Sequence, residues 1–190
     1  MERPEDLVVA VSDADLAARL SAGDGLAVFA TGGDLARTLG TRPPLDRTTV
    51  LELPIDLLDV SLDDVDLVAC AHVQAFSPWW RGRWLFGPVV AIMNAEFIGE
   101  WDVAPRGHPN DGRVEVLECS PSLSVRDRLA VRRRLPLGTH VPHPAITIRS
   151  VREVELVFES PLVVWVDGKR RGTSRTLTVR VRPDAAIVYS

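Results

Sequence analysis

The apolar residues alternate between strand and helix patterns at the start of the chain, and from about residue 47 onward they follow the strand pattern almost throughout. Within the first 46 residues, apolar runs at 7–11 and 25–30 are each followed by a helical pattern. Leu16 and Leu20 stand one turn apart in the first helix, and residues 31–34 open the second. The spacing predicts a short β-α-β-α segment.

From about residue 47, short runs rich in Val, Ile, Leu and Phe end in Gly, Pro, Asp or Asn, as strands do. The predicted strands are 48–53, 56–62, 65–76, 85–95, 113–119, 145–150, 153–160, 162–167, 177–182 and 186–189. Such spacing favours a two-layer antiparallel sandwich or an open barrel. The predicted fold class is α+β: a small α/β segment, residues 1–46, packed on a larger antiparallel β-sandwich domain, residues 47–190.

One stretch of the second part, residues 124–135, has a helical pattern. Val125 and Leu129 lie on one side of the predicted helix, and arginines surround the rest. We expect a short helix on the protein surface.

Composition and charge narrow the class of protein. Hydrophobic residues make up 46% and charged residues 25%, which is typical of a folded chain. The apolar runs are far shorter than the ~18 residues of a membrane span, and no hydrophobic signal core stands at the start. We expect a cytoplasmic protein, peripheral to a membrane at most. Residues 113–190 hold 14 basic and 8 acidic residues, which fits either an anionic partner surface or a solvated basic face.

Cysteines and histidines predict no metal centre. Cys70 and Cys119 lie in apolar runs without metal or redox spacing, so we expect buried free thiols. Pro142 prevents a helical arrangement of His140 and His143, and no acidic or Cys partner stands at zinc spacing. We expect turn or surface positions for all four histidines, which are His72, His108, His140 and His143.

An aromatic cluster spans residues 76–86, where three Trp and two Phe alternate with arginines. This pattern predicts a hairpin tip that contacts a membrane interface, lipid or a partner subunit through Trp79, Trp80 and Trp84. The alternative is a core plug at one end of the sandwich. A single lysine and a net charge of −4 argue against a nucleic-acid partner.

Four separated motifs resemble those of one enzyme family. Residues 28–40 read Val-Phe-Ala-Thr-Gly-Gly-Asp-Leu-Ala-Arg-Thr-Leu-Gly, and residues 53–56 read Leu-Pro-Ile-Asp. They resemble the G-T-G-N-D-L-A-R-x-L-G segment and the I-D-L strand of diacylglycerol kinase-like proteins. Residues 89–112 are similar to the family's Asn-bearing strand and P-x-D-G turn, and 164–169 to its V-D-G-E element. The chain therefore resembles the diacylglycerol kinase and sphingosine kinase family of lipid kinases.

The sequence also departs from this family in its nucleotide-binding motifs. No N-P-x-S-G motif is present, and the family's G-G-D-G-T loop falls at residues 11–15, where only Asp13 survives. A Cβ at those positions would hold the backbone away from nucleotide phosphates. We expect a shortened nucleotide-binding lobe with a degenerate nucleotide site at Asp13, Gly32, Gly33 and Asp34. Lys169 replaces the family's Glu.

The resemblance also implies roles for further carboxylates. Asp34, Asp56 and Asp111 match acidic positions that line the family's cleft and its Mg²⁺-water network, with Asp56 and Asp111 as the metal candidates. Asp167 matches the proposed catalytic base. The alternatives are structural: a helix N-cap for Asp34, a strand end for Asp56, and turns for Asp111 and Asp167.

Three functions follow from these observations. The first is a degenerate lipid-kinase-like protein that binds lipid or a partner and has little or no phosphotransfer activity. No cofactor is expected for this protein on its own. The second is an active lipid kinase that uses Mg²⁺ and ATP and receives its nucleotide-binding half from a partner chain. The third is a structural sandwich that forms a homodimer through its Trp-rich tip.

Overall fold

The computed structural model describes residues 4, 7–22, 27–41, 49–63 and 65–190. The N-terminal part contains β1 (Val8–Ala10), α1 (Asp13–Ser21), β2 (Val28–Ala30) and α2 (Asp34–Leu39). The larger part contains β3 (Glu52–Leu62), β4 (Val65–Ala69), β5 (His72–Phe76), β6 (Val89–Met93), β7 (Phe97–Ile98), β8 (Trp101–Asp102), β9 (Val114–Cys119), α3 (Val125–Arg134), β10 (Ile146–Val151), β11 (Glu153–Val166) and β12 (Lys169–Tyr189). The predicted α+β class is confirmed. The predicted boundary between residues 46 and 47 lies outside the described residues.

The N-terminal part is a small α/β unit that is continuous with the rest of the sheet. Strands β1 and β2 run parallel, and β2 also pairs in parallel with the end of β12, Val28 opposite Val188. The side chains of Leu16 in α1 and Leu35 in α2 are fully buried in one hydrophobic cluster with Ile55 of β3. The first helices therefore pack on a sheet that the last strand completes.

The larger part is built from antiparallel pairs in the order β12, β11, β5, β6, β9 and β10, while β3 pairs with both β12 and β4. Buried residues from β3, β5, β6, β9, β11 and β12 belong to one hydrophobic cluster. The sheet therefore folds over on itself and encloses its core between two layers, as in a sandwich.

Three predicted breaks between strands are absent from the structure. Strand β3 runs through residues 54–55, where a gap between two strands was predicted. Strand β11 continues past Pro161, and β12 continues past Pro183. Both prolines lie where the pairing register shifts, between Val157 and Leu162 and between Arg182 and Ala186. A bulge accommodates a residue that cannot donate a ladder hydrogen bond, so the strands bend at these prolines and do not end there.

Residues 65–76 were predicted as one strand, but the structure divides them into two. Strand β4 ends at Ala69 and β5 begins at His72. Between them, the N–H groups of Cys70 and Ala71 donate to the carboxylate of Asp167. These amides bond to a side chain and not to a neighbouring strand, so the chain bends at this point.

Helix α3 confirms the predicted helix at residues 124–135, with Ser124 as its N-cap. Val125 and Leu129 are exposed, as on a surface helix, whereas Arg128 is buried. Arg128 therefore differs from the other arginines of this helix, which are exposed.

No helix in the part of the chain that the structure describes is long and apolar enough to cross a membrane.

Candidate functional site

The candidate site lies where the N-termini of α1 and α2 meet the bend between β4 and β5. Both helices begin directly after parallel strands, so their first residues lie at the same edge of the sheet. Asp13 is the first residue of α1 and Asp34 the first residue of α2. The site therefore begins as a pair of carboxylates at two adjacent helix N-termini.

Asp13 caps the second helix and not its own. Its two carboxylate oxygens accept the N–H groups of Asp34, at 2.7 Å, and Leu35, at 3.0 Å. Gly33 makes this contact compatible with the backbone: its φ is 99°, and a Cβ there would lie 2.3 Å from Asp13 Oδ1. Asp13 therefore occupies the position at the start of α2 where an anion would accept hydrogen bonds.

Burial changes the proton affinity of this capping carboxylate. It raises the pKa of Asp13 from 3.8 to about 6, against the two helix amides, which lower it. The negative charges of Asp167 and Asp34 raise the pKa of Asp13 further. Asp13 is thus protonated in part of the molecules at mildly acidic pH.

Asp34 is bound to a buried histidine. His72 is 1% exposed, and its Nε2 lies 2.9 Å from Asp34 Oδ2. The other oxygen of Asp34 accepts the N–H of Gly99 at 2.7 Å. Burial lowers the pKa of His72, but the hydrogen bond to Asp34 and the charges of Asp167, Asp34 and Asp13 outweigh it, so the pKa is raised. Below that pKa the pair is a salt bridge.

Asp167 lies in the tight turn between β11 and β12 and points into the same cluster. Asp167 has φ 48° and Gly168 has φ 74°, as a two-residue hairpin loop requires. The Asp167 carboxylate is buried and accepts the N–H groups of Cys70, Ala71 and His72, at 2.9, 2.9 and 3.0 Å. It therefore fixes the bend between β4 and β5. Lys169 is exposed.

Asp56 forms a second, separate anchor. It is fully buried, and its oxygens accept the N–H groups of Gly112, at 2.7 Å, and Asp184, at 2.9 Å. Asn94 links it to the cluster, because its Nδ2 donates to the carbonyl oxygens of Asp56 and Cys70. The Oδ1 of Asn94 is buried without a hydrogen-bond partner in the described part of the chain.

The structure brings some of the predicted site residues together and leaves others outside. Asp13, Asp34 and Asp167 form the cluster with His72, and their neighbours Gly32 and Gly33 form the close turn before α2. A Cβ on Gly32 would lie 2.5 Å from the carbonyl oxygen of Val11, so this glycine lets the two loops approach. Asp111 is exposed, and its carboxylate accepts the N–H of Arg113. Its observed contact is a local turn.

Sequence reasoning missed His72, which it placed in a turn or at the surface. His72 is buried and ion-paired, and His140 is also buried. Among the described residues, Asp13, Asp34 and His72 form a group whose possible metal-ligand atoms lie within 4.8 Å of one another. The signal was available, since His72 interrupts the apolar run 65–76, and a polar side chain in such a run needs a buried partner.

The Trp-rich segment 79–86 lies apart from this cluster. Trp79 is 76% and Trp80 is 64% exposed, and their rings meet edge to face with centroids 6.0 Å apart. Trp84 is half-buried beneath the guanidinium of Arg132, which lies 5.0 Å from the ring centroid. The exposure of Trp79 and Trp80 rules out a core plug, and their role in association stays a prediction.

The comparison with protein families identifies the fold family. Residues 81–190, more than half of the chain, match the model described as YegS C-terminal NAD kinase beta sandwich-like domain. The chain belongs to this family. The predicted resemblance to diacylglycerol kinase-like proteins is thereby confirmed at the level of the family.

Solved structures agree in fold. A diacylglycerol kinase from Bacillus anthracis strain Sterne has a TM-score of 0.67 at 14% identity, with 96% of this chain and 75% of that chain covered. Two further chains from the same strain have TM-scores of 0.65 and 0.67 at 12% and 10% identity, with 96% of this chain and 77% of each covered. No curated protein matches the sequence.

Proposed function

We propose that the protein is a degenerate lipid-kinase-like protein that binds lipid or a partner and has little or no phosphotransfer activity of its own. One observation carries this proposal: the carboxylates at the family's acidic positions bond to the protein itself. Asp13 caps α2, Asp34 pairs with His72, and Asp167 holds the bend between β4 and β5. A kinase needs such groups free for metal, nucleotide or substrate.

The start of α2 does not fit a nucleotide phosphate. Its first amides already donate to Asp13, and Gly33 packs against the same carboxylate. A phosphate would have to displace Asp13 and would then face the negative charge of Asp34. ATP and its Mg²⁺ are therefore not expected to bind the isolated protein usefully.

The carboxylate at the position of the proposed base, Asp167, also bonds to the protein itself. Asp167 accepts three backbone N–H groups and is 5% exposed. A carboxylate offers about four acceptor positions, so little capacity remains for a lipid hydroxyl. Taking a proton would also remove the charge that holds Cys70, Ala71 and His72 in place.

Two measurements on the purified protein test this proposal. Calorimetric titration with ATP and Mg²⁺ should give no dissociation constant below about 100 µM, roughly −5.5 kcal/mol. A radiolabel assay with diacylglycerol vesicles should give no lipid phosphorylation above the no-protein control.

Asp34→Asn serves as the matched variant in the phosphorylation assay. Lipid phosphorylation by the wild-type protein that this variant abolishes, with an unchanged circular dichroism spectrum, would overturn the proposal. Phosphorylation that appears only after a second, nucleotide-binding chain is added would replace it with the partner-dependent kinase.

A further inference from the structure

The tip, residues 79–86, presents large apolar side chains to solvent on a firm backbone. Trp79 and Trp80 are exposed, and Phe86 is 56% exposed. Gly82 has φ 82°, and a Cβ there would lie 2.2 Å from the Phe86 ring. The loop is therefore folded tightly on itself while its aromatic rings face outward.

Helix α3 is fastened to this tip by a buried arginine. The guanidinium of Arg128 donates to the carbonyl oxygens of Trp84, at 2.7 Å, and Gly87, at 2.6 Å. It also donates to the carbonyls of Ser120 and Leu123. The tip and α3 thus form one unit, which we call the tip–α3 surface.

This surface is strongly basic in a protein whose net charge is −4. Residues 79–86 and 125–134 contain seven arginines and a single acidic residue, Asp127. All of these arginines except Arg128 are exposed. On α3, Arg126 and Arg133 share a face with the exposed Leu129, since they lie three and four residues from it. Apolar and cationic groups are therefore interleaved on this surface.

We propose that the tip–α3 surface docks the protein onto the interface of an anionic phospholipid bilayer. Indole rings favour the headgroup level of a membrane, and arginines beside them are attracted to anionic lipid. A second copy of the chain fits less well, because a self-complementary contact would bring two clusters of arginines together. This inference rests on the proposed function, lipid or partner binding, and specifies the bound partner as an anionic bilayer.

Co-sedimentation with vesicles tests the proposal without ATP. The wild-type protein should pellet with vesicles of phosphatidylcholine and phosphatidylglycerol, much less with phosphatidylcholine alone, and less as NaCl is raised. The double variant Trp79→Ser/Trp80→Ser should weaken the binding at least about tenfold. Arg126→Gln/Arg133→Gln should weaken it about fivefold per arginine, and only on the anionic vesicles.

Two variants elsewhere match these changes. Val157→Ser alters an exposed apolar residue on β11, and Arg170→Gln/Arg171→Gln removes two exposed arginines beside the β11–β12 turn. Both should bind vesicles as the wild type does, and all variants should melt within a few degrees of it, because every altered side chain is exposed.

Equal binding to both vesicle types, or binding that the tip and α3 variants leave unchanged, would overturn the inference. A dimer in sedimentation velocity that Trp79→Ser/Trp80→Ser dissociates, without vesicle binding, would overturn it in favour of self-association. Failure to bind vesicles leaves the absence of phosphotransfer intact, whereas lipid phosphorylation by a vesicle-bound protein overturns only the proposed function.

Discussion

The anchoring role of Asp167 gives the sharpest test of how this fold is held together. Asp167→Ala removes the acceptor for three backbone N–H groups, those of Cys70, Ala71 and His72. Asp167→Asn keeps one carbonyl oxygen as an acceptor and tolerates the left-handed backbone at φ 48°. The two variants therefore separate the loss of all three contacts from a partial loss.

The magnitude follows from the burial of these groups. A hydrogen bond to a charged group contributes about 1.5–3 kcal/mol, and a buried amide left unpaired costs about 1–3 kcal/mol. We expect Asp167→Ala to lower the free energy of unfolding by about 4 kcal/mol and Asp167→Asn by about 2 kcal/mol. For a chain of this size, that lowers Tm by about 8–16 °C and about 4–8 °C, respectively.

Asp184→Ala is the matched control for thermal unfolding. Asp184 also has a left-handed backbone, φ 50°, but it is exposed. Its substitution by Ala should cost only the backbone strain, about 1–2 kcal/mol. If Asp167→Ala and Asp184→Ala have the same Tm, the anchoring argument is refuted. Loss of a measurable wild-type kinase activity in Asp167→Asn, at unchanged Tm, would show that the carboxylate serves catalysis.

Three further predictions concern groups around the same elements. The free energy of unfolding should fall as pH rises from about 4 to about 6, because folding raises the pKa of Asp13 from 3.8 to about 6 and so favours its protonated form. In urea titrations over this pH range, Asp13→Asn should remove about 3 kcal/mol of that fall, and an unchanged pH dependence would contradict the raised pKa. Arg128→Lys should cost about 2 kcal/mol, because an ammonium cannot reach four carbonyls, while exposed Arg126→Lys should stay within about 0.5 kcal/mol; equal losses would show that the Arg128 contacts do not matter. Gly33→Ala should destabilise by about 2 kcal/mol or more in the same assay, since its Cβ would lie 2.3 Å from Asp13 Oδ1, and wild-type stability would refute that crowding.

Local patterns were sufficient to predict those parts of the fold that depend on neighbouring residues. The helix within residues 124–135, the turn at Asp167 and Gly168, and the α+β class follow from spacing and turn chemistry. Strand continuity did not, because a proline ends a strand only where no bulge accommodates it, and that depends on the partner strand. Pro161 and Pro183 are the two cases in this chain.

The candidate site was predictable in its residues and not in its contacts. Asp13, Asp34 and Asp167 were found by resemblance, but Asp167 and Cys70 lie 97 residues apart, and no local pattern indicates that they meet. The burial of His72 and Arg128 was missed for the same reason. Each is held by groups from distant segments, which a single sequence does not identify.

The position of β12 determines the order in which parts of the sheet can pair during synthesis on the ribosome. Strand β2 needs the end of β12 as its neighbour, yet Val188 is made roughly 160 residues after Val28. At about 5–20 residues per second, the nascent β2 edge waits roughly 10–30 s for that partner. Val28 and Leu35, which are buried in the finished protein, lack part of their cover during that time. The segment that contains β2 is thus closed long after it is made, and a chaperone that shields this edge would act before Val188 is synthesised.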